Sequence, residues 1–231
     1  MEIENIDDYT LAKVLYSYLI EEKSHRWIQK EILGLPAPPR GGGFVAMNIL
    51  HHFEIKGDSK GILKNNLNDI KNITIDAQTI LNSFIAIQEE AKKIIERKPI
   101  NSKHKETERL SQVKTRIYQD VLKKYLSENY ENCCALCEID QPELLVASHI
   151  IPWSVDKEKR LDLSNCILLC NFHDKLFDKG FISLDEKFRV IISKKLSKNV
   201  AKLLKDTVFK KPNEDCPNQE YLNLHREEIY R

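Results

Sequence analysis

Residues 134–180 contain the stretch that decides the fold of this chain. Three pieces follow one another: Cys134-Ala-Leu-Cys137, then Ala147-Ser-His-Ile-Ile-Pro-Trp153, then Asn165-Cys-Ile-Leu-Leu-Cys170-Asn-Phe-His-Asp-Lys-Leu-Phe-Asp178-Lys-Gly180. Two sets of potential metal ligands are interleaved in these pieces. One set is rich in sulfur and the other is rich in carboxylate oxygen, so the sequence predicts two neighbouring sites of different chemistry.

The sulfur-rich set consists of two correctly spaced pairs, Cys134 with Cys137 and Cys170 with His173. Three thiolates and one imidazole complete a tetrahedral shell, which suits structural zinc (Zn²⁺). In a reducing compartment this spacing favours a metal over a disulfide. The alternatives are four unrelated core residues, or Cys133 in place of Cys134 as the first ligand.

The two remaining cysteines receive other interpretations. Cys166 alternates with apolar residues, and we expect it to be a small buried hydrophobic residue. Cys216 lies in a polar loop and is predicted to have no role in the metal site.

Local patterns predict the elements around these ligands. Leu144–Ile151 and Cys166–Cys170 are short apolar runs typical of β-strands. Residues Asn171–Lys179 suit a helix that ends at Gly180. A hairpin formed by Phe181–Leu184 and Phe188–Ser193 should follow, with further helices near residues 200–209 and at the end of the chain.

The first hundred residues show helical periodicity instead. Predicted helices cover Asp7–Ile20, Ser24–Leu33, Phe44–Phe53, 62–70 and Thr74–Arg97, and another covers 107–128. The polar stretch 97–106 is the predicted domain boundary. We therefore expect an α+β protein, with a helical recognition or dimerisation module over 1–100 and a zinc-stabilised domain over 107–231.

The motif resembles the HNH nuclease family, whose core is the ββα-metal fold. The most similar branch carries an Ala-Ser-His-Ile-x-Pro-Trp strand and an Asp-x-Leu-Phe-Asp-x-Gly helix, and many of its members are restriction or defence endonucleases. The resemblance covers roughly residues 107–230, including Val113–Gln119 and Tyr221–Arg226. It implies a metal-dependent endonuclease, a phosphodiester hydrolase, that acts on double-stranded DNA.

The resemblance also implies roles for individual residues. His149 would take a proton from the attacking water, and Asn165 would brace the loop that carries His149. Asp174 and Asp178, four residues apart on one helix face, would hold a catalytic Mg²⁺ or Mn²⁺. Taken singly, His149 could equally be a packed core histidine, and the two aspartates a solvated helix face.

Ser148 departs from the wider family, which often has Asp or His as a metal ligand at this position. A hydroxyl is a weak ligand, so Ser148 is expected to act through water or not at all. Arg160 and Lys175 are candidate phosphate contacts, although ordinary surface charges are as plausible an interpretation. The departure at Ser148 keeps open a zinc-stabilised DNA-binding protein without catalysis, and RNA cleavage is a further alternative.

Charge is distributed unevenly along the 231 residues, whose net charge is only +1. Residues 97–124 carry a net charge of +6 and residues 186–211 a net charge of +7. These segments bracket the motif and could neutralise phosphates, although solvated lysine-rich helix faces would look the same. We expect a cytoplasmic protein without a membrane segment, because the N-terminus is acidic and no long apolar run occurs. Cleavage of both DNA strands by a single-site enzyme would require a homodimer.

Overall fold

The computed structural model describes residues 6–36, 42–98 and 108–231. These residues form two compact units, one over 6–89 and 108–117 and the other over 90–98 and 118–231. The predicted domain boundary, in residues 97–106, falls mostly outside the described residues and stays a prediction.

The first unit is built from helices packed around one apolar core. Its helices are α1 (Asp8–Leu19), α2 (His25–Glu31), α3 (Phe44–His52) and the larger part of α4 (Ile75–Ile95). Asp7 caps α1 by accepting the Thr10 N–H at 3.1 Å, which satisfies a backbone donor that the helix leaves unpaired. The fully buried side chains at the centre are Leu15, Leu19, Ile28, Leu50 and Leu81.

The predicted helix over 62–70 is wrong for its first half. The structure instead has 3₁₀ turns over Gly57–Ser59 and Leu67–Asn72. Between them the Leu63 N–H donates to the Leu19 carbonyl at 3.0 Å, and the Leu63 side chain is fully buried. Because this segment is hydrogen-bonded to the end of α1, its backbone does not form a helical ladder of its own.

The second unit contains the end of α4, the larger part of α5 (Glu108–Asn129) and the motif. Strand β1 (Leu145–His149) pairs antiparallel with β2 (Cys166–Cys170), and α6 (Asn171–Asp178) follows at once. The register places His149 opposite Cys166 and Leu145 opposite Cys170. The two ends of this hairpin therefore carry different candidate residues, the His149 imidazole at one end and the Cys170 thiol of the predicted zinc site at the other.

A second hairpin and two short helices complete this unit. Strand β3 (Ile182–Leu184) pairs antiparallel with β4 (Val190–Ile192), and α7 (Lys198–Leu203) and α8 (Gln219–Glu228) follow. The core residues are fully or almost fully buried: Leu122, Leu126, Cys166, Leu168, Phe177 and Leu222. The predicted α+β class is confirmed, with helices before the motif and two small antiparallel sheets within and after it.

Within the described parts of the chain, we find no helix that combines the length and the apolarity needed to cross a bilayer.

Gly180 ends α6 at a point where the backbone of the last residues comes very close. Its φ is +67°, in the left-handed region that favours glycine. A Cβ at this position would overlap the carbonyl group of Ile229, and the Gly180 carbonyl accepts the Arg231 N–H at 2.9 Å. The residues after α8 are thus held against the end of α6.

We expect Gly180→Ala to destabilise the protein by more than about 1 kcal/mol, because alanine meets both the positive φ and the Ile229 carbonyl. Urea unfolding monitored by circular dichroism measures the change. Gly57→Ala is the matched control, since Gly57 lacks a positive φ and nothing lies within 4 Å of its added Cβ. Equal stability of the two variants would contradict the packing described at Gly180.

Candidate functional site

The four predicted zinc ligands converge on one point. The ligand atoms of Cys134, Cys137, Cys170 and His173 all lie within 4.8 Å of one another. His173 Nδ1 is 3.5 Å from Cys134 Sγ and 3.3 Å from Cys170 Sγ, and the sulfurs of Cys137 and Cys170 are 3.8 Å apart. Zn–S bonds of about 2.3 Å in a tetrahedron place two sulfurs about 3.8 Å apart, so the cluster fits a tetrahedral metal ion.

Backbone hydrogen bonds position this Cys₃His cluster. The Cys134 sulfur accepts N–H groups from Leu136 at 3.4 Å and from Cys170 at 3.2 Å. The Ala135 N–H donates to the Leu168 carbonyl at 2.8 Å, which ties the turn that carries Cys134 and Cys137 to β2. The cluster therefore joins a turn after α5 to the end of β2 and the first turn of α6.

The protonation chemistry of the cluster also suits a cation. Burial raises the pKa of the Cys134 thiol to about 12, so its thiolate needs a compensating positive charge. Burial lowers the pKa of His173, which favours the neutral imidazole that ligates metals. Cys133 is not one of the four, since its thiol donates instead to the Cys137 carbonyl at 3.3 Å.

A second site is a cavity of about 400 Å³ between β1, α6 and α8. Its lining brings together the predicted residues Ser148 and His149 from β1 and Asp174 and Asp178 from α6. Lys179, Trp153 and His225 also line this cavity. Four of the side chains that the sequence assigned to the catalytic centre thus line one open cavity, whereas Asn165 is not among its lining residues.

His149 is held by a carbonyl at the far end of the loop that follows β1. Its Nε2 lies 2.9 Å from the Arg160 carbonyl oxygen, which can only accept a hydrogen bond. In the neutral ring this contact places the proton on Nε2 and the lone pair on Nδ1. Burial lowers the pKa of His149, and the carbonyls of Arg160 and Ala147 and the charge of Asp178 partly oppose that effect.

Asn165 holds both ends of the same loop. Its Oδ1 accepts the Ile151 N–H at 2.8 Å, while its Nδ2 donates to the carbonyls of Ile151 at 3.2 Å and Lys159 at 3.1 Å. Its side chain is only 1% exposed, so these groups depend on one another for hydrogen bonding. Because Lys159 precedes Arg160, Asn165 fixes the position of the carbonyl that orients His149.

The two predicted phosphate contacts lie elsewhere. The Arg160 side chain donates from Nε to the Trp153 carbonyl at 2.9 Å, and its guanidinium lies 5.0 Å from the Trp153 ring centroid. Lys175 is exposed on α6 and is not among the residues that line the cavity. Lys179 does line the cavity, although it was not predicted as a site residue. The sequence clue to it is its position directly after Asp178.

The aspartate pair creates a local excess of negative charge. Burial and the neighbouring Asp174 carboxylate raise the pKa of Asp178, while Lys175, Lys179 and His149 oppose the rise. Asp178 remains exposed overall, so water screens part of this repulsion. A cation bound by the two carboxylates would offset the repulsion that water does not screen.

Ser148 contributes a buried, unpartnered hydroxyl to the lining of the cavity. It is only 2% exposed, yet its Oγ has no hydrogen-bond partner among the described residues. A buried hydroxyl without a partner costs free energy, so a polar group or an ion beside it would stabilise the structure.

His225 supports α6 from α8, a role that sequence reasoning did not assign. Its Nε2 donates to the Phe177 carbonyl at 3.1 Å, its Nδ1 accepts the Ser183 hydroxyl at 2.9 Å, and its ring stacks on Phe177 at 3.9 Å. Phe177 directly precedes Asp178. His225 therefore fixes the segment that presents Asp178 to the cavity.

For the metal cluster, we expect Cys137→Ser to lower the zinc content from about one ion per chain toward zero after dialysis against a competing chelator. Mass spectrometry measures the zinc content, and a thermal melt measures the unfolding temperature. Both values should fall together. Cys216→Ser, at an exposed cysteine outside the cluster, should keep its zinc. Full zinc retention by Cys137→Ser would contradict this assignment.

For His225, we expect a specific dependence of stability on pH. Burial lowers its pKa to about 4 from the ordinary 6.5, so the unfolded chain gains a proton before the folded one as pH falls. The stability contributed by the neutral ring is complete above pH 6.5 and is lost as the pH falls toward 4.

Between those pH values the free energy of unfolding of the wild type should fall by on the order of 3 kcal/mol more than that of His225→Gln. Urea unfolding from pH 7 to pH 4 compares the slopes, and His52→Gln, at an exposed histidine, should keep the wild-type slope. Identical slopes for the wild type and His225→Gln would rule out this coupling.

Comparison with known proteins agrees with this geometry. Residues 134–185 match the family model described as HNH endonuclease. The matched range contains the metal cluster, both strands of the first hairpin, α6 and the His149, Asn165, Asp174 and Asp178 side chains. None of the curated proteins matches the chain. The family resemblance predicted from the motif is confirmed over this range, where the chain is similar to the HNH endonuclease family.

Proposed function

We propose that the second unit is a metal-dependent endonuclease that hydrolyses phosphodiester bonds in double-stranded DNA, in restriction or defence. One observation carries the proposal: a single cavity gathers His149, Asp174 and Asp178 beside a Cys₃His cluster, in a segment that matches the HNH endonuclease model.

The Cys₃His cluster would hold structural Zn²⁺. Its four ligands come from two places that are far apart in the chain, so the ion would fasten the turn after α5 to the start of α6. The domain is small, and metal binding would contribute directly to its folding free energy. The cluster stabilises the catalytic hairpin and takes no part in the reaction.

Asp174 and Asp178, with the unpartnered Ser148 hydroxyl, fit a hard divalent cation such as Mg²⁺ or Mn²⁺. All three are oxygen donors, the type that these ions prefer. When bound, such an ion supplies positive charge that polarises the scissile phosphate and stabilises the leaving oxygen. The aspartates bind and position it, and Lys179 adds positive charge to the same cavity.

His149 acts as the general base. Its Nδ1 accepts a proton from the attacking water, while Nε2–H remains hydrogen-bonded to the Arg160 carbonyl. That carbonyl also stabilises the imidazolium that forms, because it faces the N–H that gains positive character. Asn165 acts through the loop and not on the substrate, since its side-chain hydrogen bonds are all to backbone groups of Ile151 and Lys159.

A single site of this kind cuts one strand. Cleavage of both strands would then use a homodimer with two-fold symmetry, which matches the symmetry of a duplex. The helical first unit is proposed to contribute target recognition or this dimer contact.

One observation favours a second candidate, a zinc-stabilised DNA-binding protein without catalysis. Ser148 offers a hydroxyl where a carboxylate or imidazole would bind a cation more strongly. In that case the Cys₃His cluster would keep its structural role and the cavity would bind phosphate without cutting it.

We expect purified protein to nick supercoiled plasmid with Mg²⁺ or Mn²⁺, and His149→Ala to reduce the rate by about 10²–10⁴-fold, the usual contribution of a general base. Gel separation of nicked and linear plasmid measures the rate. His52→Ala, at an exposed histidine of the first unit, is the control and should cut at the wild-type rate. Zinc content and circular dichroism show that both variants are folded.

Equal cutting by the wild type and His149→Ala would exclude His149 as the base. Binding to duplex DNA without cutting under either cation would support the non-catalytic candidate. Digestion of RNA but not DNA, tested side by side, would replace the proposed substrate.

A further inference from the structure

The segment that follows β4 carries five exposed lysines, here called the lysine track: Lys194, Lys195, Lys198, Lys202 and Lys205. We propose that the lysine track binds the sugar–phosphate backbone of duplex DNA beside the bond that is cut. This inference rests on the DNA substrate proposed above and adds to it the surface that holds the flanking duplex.

The lysine track is not neutralised by the protein itself. None of its five ammonium groups has an ion-pair partner among the described residues, and the only acidic residue between 187 and 211 is Asp206. Other cations of the same segment are paired, since Arg189 binds Asp185 at 2.7 Å and Lys210 binds Glu138 at 2.6 Å. Five like charges so close together repel one another, and a polyanion relieves that repulsion.

The lysine track begins beside the residues that follow α6. The Ser193 N–H donates to the Phe181 carbonyl at 2.9 Å, which brings the end of β4 beside the residue that follows Gly180. Phe181 is two residues beyond Lys179, which lines the cavity. Lys194 and Lys195 therefore leave the hairpin near the carboxyl end of α6, where Asp178 lies.

From there the charges continue along α7. Ser197 caps this helix by accepting the Val200 N–H at 3.4 Å, and Lys198 is its first residue. Lys198 and Lys202 are four residues apart, so they share a helix face and lie about 6 Å apart along its axis. Duplex DNA carries one charge per about 1.7 Å of its axis, so such a row faces several phosphates at once.

The composition of the lysine track favours a duplex over single strands. Single-stranded nucleic acid is held by aromatic side chains on which bases stack, together with positive charge. Residues 194–205 contain no aromatic residue. Contacts from lysines alone recognise the backbone without reading bases, so the lysine track should add affinity without sequence preference.

The test uses the full chain with His149→Ala and no added divalent cation, so that the duplex is not cut during the measurement. Fluorescence anisotropy measures the affinity for a labelled 30-base-pair duplex over a range of KCl concentrations. We expect the added triple substitution K198Q, K202Q and K205Q to make the plot of log K, the association constant, against log[KCl] less steep. The slope should change by about 2.7, which is about 0.9 for each lost phosphate contact. Affinity at 50 mM KCl should fall by at least about 10-fold.

Two matched variants separate the position of the charges from their number. Replacing the same three lysines by arginine keeps the charge and should keep the slope. Replacing Lys98, Lys123 and Lys210 of the second unit, whose ammonium groups already bind acceptors of the protein, by glutamine removes the same charge and should also leave the slope unchanged. An equal loss in this second variant would mean that only net charge matters and would overturn the proposal.

The outcomes for the lysine track and for the nuclease are distinct. An unchanged slope in the glutamine variant, with plasmid nicking by the wild type, would exclude the lysine track and leave the nuclease standing. A shallower slope without nicking by the wild type would support the lysine track and exclude the nuclease. Tighter binding of single-stranded DNA or of RNA than of duplex DNA would overturn the lysine track as a duplex-binding surface.

Discussion

The second unit depends on the convergence of four ligands that the chain separates by almost forty residues. Cys134 and Cys137 lie in a turn, and Cys170 and His173 lie where β2 becomes α6. The Cys134 sulfur accepts the Cys170 N–H, so the turn is fixed to the point at which α6 begins. Since α6 also carries Asp174 and Asp178, the geometry of the sulfur cluster determines the position from which the carboxylates reach the cavity.

Both sites place acidic groups in partly buried surroundings. Burial opposes ionisation of the Cys134 thiol, and burial together with Asp174 opposes ionisation of Asp178. Such arrangements are costly unless a cation is present, and the two ligand types select different cations. Soft sulfur suits zinc and hard oxygen suits magnesium or manganese, so two sites on one short helix can stay chemically distinct.

The sequence predicted the structure correctly where the spacing of residues along the chain alone determines which side chains lie close together. The CxxC turn, the Cys170–His173 pair and the Asp174–Asp178 pair are local, and helix or turn geometry brings their members together. The hairpin, α6 and its end at Gly180 were predicted for the same reason. The contacts that sequence could not supply are long-range: Leu63 pairs with α1, and His225 stacks on Phe177. Periodicity and spacing carry no information on such distant partners.

The support that α8 gives to α6 has a consequence for the smallest active fragment. The family match ends at residue 185, yet the ring that stacks on Phe177 belongs to His225, and Gly180 is bonded to Arg231. A fragment trimmed to the matched segment would keep every ligand and the proposed base but would expose the back of α6 to water. Transfer of the proposed nuclease module to another protein would therefore require α8 as well, although that helix provides neither ligand nor proposed base.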